Sequence, residues 1–356
     1  MPPGSSRSPE NRARLPRVKV DFFLPTADAE SAAGHAARAR DLGFDAVLSA
    51  ETNHDPFLAL AIAATAVPGL EYGTAIAVAF ARSPMVTAMT AWDLARLTGG
   101  RFLLGLGTQV RAHVTRRFSM EWSAPAPRLR DYVLAVRAIW EAWQHGTPLR
   151  FQGRFYRHTL MTPFFDPGPL THPPPPIYIA GVGPHMARVA GEVCDGLHVH
   201  PFHTVRYLDE VIRPNVARGA QAAGRPAGEV ALATAVMVVT GHSEAEMERR
   251  RAAVARQIAF YASTPSYHPV LDLHGWQVGP ELTRMSVRGE WEAMAELVDD
   301  AMIDAVAVTA PIDELGDAIR RRYGDRLTHV GLYSLADDLG LTDDEWRTVV
   351  ATLAAG

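Results

Sequence analysis

The feature that most constrains the fold of this chain is a repeated alternation of short apolar runs with longer, alanine-rich runs. The short runs are rich in apolar and β-branched residues, as strands are, and the longer runs have helical periodicity. Eight short runs predict strands, at 18–25, 44–50, 72–80, 101–107, 176–181, 196–200, 230–239 and 327–333. Nearly continuous apolar strands are typical of parallel sheets that are covered on both faces.

Eight strands, each followed by a helix, predict an α/β fold of the (β/α)8 TIM-barrel class. An open, doubly wound sheet uses the same alternation and is the alternative. We expect one barrel domain over residues 18–356, after a disordered leader over 1–17 that lacks the apolar core of a secretory signal. Three stretches interrupt the alternation and predict insertions at the C-terminal face, where barrel enzymes build their active sites: 108–125, 161–176 and 262–289.

Capping residues mark the starts of two predicted helices. Asp28 is expected to cap a helix over 28–43, and Asp55, followed by Pro56, is expected to cap a helix over 55–67. The second helix is apolar nearly all round, so we expect it to be buried.

Composition and charge exclude several classes of function. A net charge of -4 over 356 residues gives no basic surface for nucleic acid, and no apolar run is long enough to cross a membrane. Cys194 is the only cysteine, so no intrachain disulfide is possible, and a cytoplasmic location is expected. The remaining expectation is a protein that acts on a small molecule.

Three histidines lie close together in the segment GLHVHPFH, residues 196–203. His198 and His200 are two residues apart on a predicted strand, so they point to the same face. A metal-dependent TIM-barrel hydrolase would need further ligands, and the first predicted strand carries no His-x-His pair. We therefore assign no metal ligand and expect the two histidines to line a substrate pocket. The hydrolase is the alternative from another class of function.

Two candidate catalytic residues follow the second predicted strand. Glu51 and His54 lie at the junction of strand and loop, a position that commonly carries catalysis in barrels. A carboxylate or an imidazole at this point could give or take a proton.

A glycine-rich turn follows the fourth predicted strand. In the segment LLGLGTQ, Gly105 and Gly107 either leave room beneath a flat ring or serve packing alone, and Thr108 could hydrogen-bond such a ring.

A second glycine-rich turn joins the fifth predicted strand to its helix. Gly181 and Gly183 allow a close approach to the backbone, and free N–H groups at a helix start attract phosphate. Met186 stands where a classical dinucleotide fingerprint needs a third glycine, so an NAD site is not expected. A tight turn without a ligand is the alternative.

Two segments together resemble a known superfamily. GTAIAVAFARSPMVTAMTAWDLARLTGGRFLLGLGTQ (73–109) and PPPIYIAGVGPHMARVAGEVCDGLHV (174–199), in this order, resemble the luciferase-like monooxygenase superfamily, and within it the coenzyme F420-dependent oxidoreductases of actinobacterial type. The resemblance implies a TIM barrel that binds F420 and transfers a hydride between the deazaflavin C5 and an organic small-molecule substrate. An FMN-dependent monooxygenase of the same fold is the alternative. The resemblance also implies a homodimer or a higher homo-oligomer.

The resemblance further implies which residues bind the cofactor. It places a non-prolyl cis peptide bond between Ala75 and Ile76, behind the ring, and matches the ring-contacting threonine of the family to Thr108. The phosphate-binding turn of the family matches Ala180, Gly181, Val182 and Gly183.

The proton-transfer residues of the family are matched less well. Some F420-dependent enzymes carry a histidine at the end of the second strand, where Glu51 stands here with His54 three residues on. Those enzymes also carry an acidic residue where Val110 stands. The ring-binding and phosphate-binding parts of the pattern are therefore present, while the proton-transfer parts differ.

Overall fold

Eight parallel strands form a closed barrel in the computed structural model, which describes residues 17–333 and 339–355. The barrel strands are Lys19–Phe23 (β1), Ala46–Ser49 (β2), Glu71–Thr74 (β3), Phe102–Gly107 (β4), Ile177–Gly181 (β5), Gly196–Val199 (β6), Ala231–Val239 (β7) and His329–Tyr333 (β8). They pair in chain order, and β8 closes on β1 with His329 beside Lys19. The predicted TIM barrel is confirmed, and the open doubly wound sheet is wrong because β8 pairs with both β7 and β1.

Helices surround the barrel and connect its strands. The longer ones are Ala32–Leu42 (α1), Pro56–Ala66 (α2), Pro84–Leu97 (α3), Pro125–His145 (α4), Pro184–Val193 (α5), Arg213–Ala222 (α6), Glu244–Ala262 (α7), His268–His274 (α8), Gly279–Arg288 (α9), Asp300–Val306 (α10), Leu315–Tyr323 (α11) and Asp343–Ala354 (α12). Shorter helical turns lie at Ala79–Ala81, His113–Arg117, Pro163–Phe165, Val205–Tyr207, Leu208–Ile212, Ala227–Glu229, Pro265–Tyr267, Trp291–Met294, Ala295–Leu297 and Ile312–Glu314. No described helix is long and apolar enough to cross a membrane.

The capping predictions have different outcomes. Asp55 caps α2 as predicted, because its side chain accepts hydrogen bonds from the N–H groups of Phe57 and Leu58. Asp28 does not cap α1, which begins at Ala32. Its carboxylate accepts instead from the N–H of Ser31 at 2.8 Å and so caps a preceding turn.

The third strand is interrupted in the middle. β3 ends at Thr74, the peptide bond between Ala75 and Ile76 is cis, and a two-residue strand at Ala77–Val78 then pairs with β4. The predicted strand over 72–80 is therefore two short strands separated by a bulge.

Two of the three predicted insertions lie at the C-terminal ends of the strands. The segment 108–125 reaches the loop after β2, because the Arg117 guanidinium donates to the carbonyl of Thr52. The segment 262–289 reaches the end of β6, where the Tyr267 ring centroid lies 4.6 Å from that of His200.

The third insertion, 161–176, packs elsewhere. The Trp92 indole of α3 donates to the carbonyl of Gly168 at 3.2 Å, and Gln144 at the end of α4 bonds the backbone of Leu170 in both directions. The expectation that 161–176 walls the pocket is therefore wrong. An antiparallel hairpin, Phe151–Gln152 with Arg157–His158, precedes this segment. Residues 1–16 of the predicted leader lie outside the described residues.

Candidate active site

The candidate residues meet at one mouth of the barrel. Because all eight strands are parallel, residues that follow β2, β3, β4, β5 and β6 lie at the same end. The structure thus places the following residues around one opening: Glu51, His54, Ala75, Ile76, Thr108, Ala180, Gly181, Val182, Gly183 and His200.

The bulge after β3 is fixed by its neighbours on β2. The N–H of Ala75 donates to the carbonyl of Ser49 at 2.8 Å, and the N–H of Glu51 donates to the carbonyl of Ile76 at 2.9 Å. These bonds attach both sides of the cis peptide to the end of β2.

The glycines of β4 make room for this bulge. A Cβ added to Gly105 would lie 1.8 Å from the Thr74 carbonyl oxygen, and a Cβ added to Gly107 would lie 2.6 Å from Cδ1 of Ile76. The space at both glycines is therefore filled by the protein itself. The packing alternative is correct, and these glycines do not leave room beneath a ring.

Glu51 is part of a buried ion-pair network. Its Oε2 accepts from the N–H of Val78 at 2.7 Å and from Nη1 of Arg82 at 2.5 Å. Nη2 of the same guanidinium bonds Asp55 at 2.8 Å. Burial alone would lower the pKa of Arg82, but the hydrogen bonds and charges of Glu51 and Asp55 raise it above its ordinary value.

This network limits what Glu51 can do. Its Oε2 is occupied by the N–H of Val78 and by the Arg82 guanidinium. Oε1 of Glu51 takes part in none of the hydrogen bonds recorded among the described residues and is the atom left for proton transfer. His54 is exposed on the next turn, and no hydrogen bond joins it to Glu51.

Thr108 lies half-buried at the end of β4, beside a turn with an unusual backbone. Its Oγ1 donates to the carbonyl of Gln109 at 3.0 Å, and Gln109 has a positive φ of 60°. The Gln109 side chain accepts from the N–H of Val110 at 2.9 Å, which stabilises this turn.

The turn between β5 and α5 presents backbone donors to the mouth. Among the described residues, the N–H groups of Val182, Gly183 and His185 donate to no recorded acceptor. A Cβ on Gly181 would lie 2.7 Å from Cγ of Met186, so Gly181 is needed where the helix closes on the strand. A Cβ on Gly183 would meet nothing within 4 Å, so space is open above the helix start. Free donors, open space and the dipole of α5 suit a phosphate.

The two pocket histidines share one face of β6 but have different surroundings. His198 lies inside the barrel, buried against the Tyr178 ring at 5.3 Å, and its Nε2 has no hydrogen-bond partner. Burial lowers its pKa to about 3, and His329 adds to this effect. His200 lies at the mouth, half-buried, and burial lowers its pKa to about 3 as well. The structure therefore assigns packing to His198 and leaves only His200 at the opening.

A metal centre finds no support in these positions. Within residues 17–333 and 339–355, no three His, Cys, Asp or Glu side chains are placed to hold one ion. His200 instead uses Nδ1 to accept from the N–H of Phe202 at 3.1 Å.

Several site residues were missed by the sequence reasoning. Arg82 is one of them, because no local pattern in the sequence indicated its pairing with Glu51. Tyr261 and Tyr267 pack against His200, and Tyr333 packs against Tyr261. All three are distant from β6 in sequence, so no local pattern indicated them.

Comparison with known families identifies the family of the chain. A model of the luciferase-like monooxygenase family matches residues 11–329. The chain belongs to the luciferase-like monooxygenase family.

Relatives within the family include proteins of known and unknown activity. An uncharacterised protein of Mycobacterium tuberculosis is 48% identical over 307 residues, which cover 86% of this chain and 90% of that protein. A 5,10-methylenetetrahydromethanopterin reductase of Archaeoglobus fulgidus is 27% identical over 290 residues, covering 79% of this chain and 82% of the reductase. The coenzyme F420-dependent tetrahydromethanopterin reductase of Methanopyrus kandleri shares the fold, with a TM-score of 0.74, 21% identity, and coverage of 95% of this chain and 97% of that one.

Proposed function

We propose that this member of the luciferase-like family is an F420-dependent oxidoreductase that acts on an organic small molecule. The observation that carries the proposal is the set of unpaired N–H donors at the start of α5, open to the same mouth as the bulge at Ala75 and Ile76. The coenzyme F420-dependent reductase named above supports F420 over FMN.

The residues present fit such a cofactor. Ala180, Gly181, Val182 and Gly183 would hold its phosphate, because their turn offers free donors and open space. Ala75, Ile76 and Thr108 would contact the ring. When bound, the deazaflavin would supply hydride transfer at its C5.

The protein's own contribution is orientation and proton handling. The Glu51–Arg82 pair holds the bulge, since Glu51 binds the N–H of Val78 directly after it. We assign the accompanying proton to Oε1 of Glu51, with His54 as the alternative because it is exposed at the same opening.

Fluorescence titration with F420 and with FMN tests the cofactor. We expect the chain to bind F420 more tightly than FMN. Binding of FMN without binding of F420 would overturn the assignment and favour an FMN-dependent monooxygenase.

A pair of variants tests the phosphate site. Gly183→Asp places a negative charge at the helix start and should abolish F420 binding. Gly183→Ala is the matched control, since its Cβ meets nothing within 4 Å, and it should bind F420 normally. Equal affinities of the two variants would show that the phosphate lies elsewhere.

We also propose that the chain forms a homodimer through α2 and α3. The expected burial of α2 is incomplete, because Leu58 is 64% and Ile62 40% exposed, and on the adjacent α3 Val86 and Met89 are about half exposed. An exposed apolar surface can pack against its own copy across a two-fold axis.

Sedimentation velocity tests this dimer. Leu58→Glu should convert the dimer to monomer, whereas Val287→Glu, at an apolar residue that is 84% exposed on α9, should not. A native chain that sediments as a monomer would exclude this interface.

The proposed location is the cytoplasm, where a buried free thiol such as that of Cys194 stays reduced.

A further inference from the structure

Two tyrosine rings contact His200 at the mouth, and two further aromatic side chains pack against these tyrosines. The Tyr261 ring meets the imidazole at 89° with centroids 4.4 Å apart, and the Tyr267 ring lies over it at 4.6 Å and 30°. Tyr333 bonds Tyr261 through their hydroxyl groups, and Phe202 packs against both Tyr261 and Tyr267. We call these four residues with His200 the aromatic box.

The hydrogen bond of His200 fixes which nitrogen is the donor. Nδ1 accepts from the N–H of Phe202 at 3.1 Å, so the neutral imidazole carries its proton on Nε2. Nε2 has no partner among the described residues, yet it is not sealed from solvent as the unpartnered Nε2 of His198 is. No described residue accepts this N–H, so the donor is available to a ligand at the mouth.

The box is electrically neutral. Charge effects on Tyr261 and Tyr267 come from other tyrosines, and those on His200 come from His203. No described lysine or arginine contacts a ring of the box, and the arginine–ring contacts recorded involve other aromatic residues. An anionic substrate would find no counter-charge here, and burying it would be costly.

We propose that the aromatic box is the substrate subsite, and that it selects an uncharged molecule with an apolar, flat body and an oxygen that accepts a hydrogen bond from Nε2 of His200. This inference rests on the proposed function and adds the substrate class. Tyrosine rings supply apolar contact, and the single donor orients the oxygen.

Three probes of nearly equal size separate the contributions. Acetophenone has the flat body and the acceptor, ethylbenzene lacks the acceptor, and benzoate carries a charge. We expect calorimetry on the full chain, with and without F420, to give acetophenone an affinity roughly five- to tenfold above that of ethylbenzene, the worth of one hydrogen bond. Benzoate should bind more weakly than either.

Variants of residues in the aromatic box test whether the box causes the preference for acetophenone over ethylbenzene. His200→Phe should retain ethylbenzene binding and lose the preference for acetophenone, and Tyr267→Leu should weaken both. His145→Phe, at an exposed residue of α4, is the matched control and should leave all three affinities unchanged. Histidine ¹⁵N NMR adds a structural readout, because acetophenone should shift the Nε2 resonance of His200.

Three results would overturn the proposal. Equal binding of acetophenone and ethylbenzene would show that His200 donates no hydrogen bond to the substrate. Tighter binding of benzoate would show that the box does not select uncharged molecules. Failure of all probes to bind would show that the box is not a subsite. Failure of F420 to bind is read separately by cofactor fluorescence, so it contradicts the proposed function without affecting the probe result.

Discussion

At the scale of single residues, Arg82 is the centre of the candidate site. Its guanidinium joins Glu51, which follows β2, to Asp55, which caps α2, and Glu51 in turn holds the N–H of Val78 after the bulge. One arginine thus connects the second and third strands with a helix start. The carboxylate at position 51 was indicated by sequence, whereas its partner becomes visible only when the bulge brings them together.

Removing the cation should destabilise this network. Arg82→Met leaves the buried Glu51 carboxylate without a counter-charge, and we expect a loss of about 2 kcal/mol in the free energy of unfolding. The double variant Arg82→Met/Glu51→Gln should lose less than the single one, because the unpaired charge is gone. Urea unfolding measures both, and equal losses would mean that the unpaired Glu51 charge is not what destabilises the single variant.

The role of Glu51 in catalysis is tested separately. Glu51→Gln keeps an acceptor for the N–H of Val78 and removes the basic oxygen, so turnover should fall by roughly 10²-fold without a comparable loss of F420 affinity. Loss of affinity in step with turnover would assign Glu51 to positioning alone. A fully active variant would assign the proton transfer to His54 instead.

Asp21 carries another testable prediction, inside the barrel. It is 3% exposed, and its Oδ1 has no hydrogen-bond partner. Burial, followed by the charges of Glu71 and Asp45, raises the pKa of Asp21 well above its ordinary value, while Lys19 lowers it.

The sign of the effect on stability follows from proton uptake. Above the unfolded pKa the native state holds a proton that the unfolded chain has lost, so stability falls as pH rises toward the native pKa of Asp21. Asp21→Asn should therefore raise the free energy of unfolding at pH 7 by about 1 kcal/mol or more. Thermal unfolding at pH 5 and pH 7 checks this, and a variant less stable at pH 7 would contradict it.

At the scale of elements, the glycines of β4 show what a sequence pattern can and cannot predict. The strand itself follows from its apolar run, but a glycine within it has several possible roles. Only the structure shows that the Thr74 carbonyl occupies the place of a Cβ at Gly105. The bulge that creates this contact was expected from the family resemblance and not from periodicity, which predicted one unbroken strand.

Gly105→Ala should accordingly be severe. Its Cβ would lie 1.8 Å from a backbone oxygen, so β3 or β4 must shift, and we expect a loss of about 3 kcal/mol or failure to fold. Gly183→Ala has open space and should remain within about 1 kcal/mol of the native chain. Circular dichroism with urea unfolding compares them, and similar stability of the two variants would contradict the packing at Gly105.

Long-range connections were the part of the elements that sequence could not supply. The segment 161–176 was expected at the mouth because it is proline-rich and irregular, yet it follows α4 and packs beside Trp92 and Gln144. Likewise, Tyr261 and Tyr267 reach His200, and Tyr333 reaches Tyr261, only because the barrel closes. Strand order and the residues at strand ends were predictable, since they depend on local pattern and chain direction.

At the scale of the whole molecule, the barrel interior excludes charge from its histidines. Burial is the main cause of a lowered pKa at four of them: about 3 for His198 and His200, and about 4 for His203 and His329. His203 is further held by its ring nitrogens, which bond the carbonyl of His200 and the hydroxyl of Tyr323. All four are therefore neutral in the native state at pH 6, where the unfolded chain would be largely protonated.

The consequence is a loss of stability in acid. Below the unfolded pKa of about 6.5, the unfolded state binds protons that the native state does not, so stability falls as pH decreases toward 4. Each of the four histidines contributes a slope of up to about 1.4 kcal/mol per pH unit in that interval. The raised pKa of Asp21 gives a slope of opposite sign, which cancels at most the contribution of one histidine. Stability therefore still increases with pH in this interval.

Urea unfolding at pH 7.5, 6.5, 5.5 and 5.0 measures this slope. His329→Gln should reduce the slope by up to about 1.4 kcal/mol per pH unit, the effect of one proton, because His329 is buried and uncharged in the native barrel. His145→Gln, at an exposed position, should leave it unchanged. A native chain equally stable at pH 7.5 and 5.0 would mean that the interior accepts protons, and the assignment of four neutral histidines would have to be abandoned.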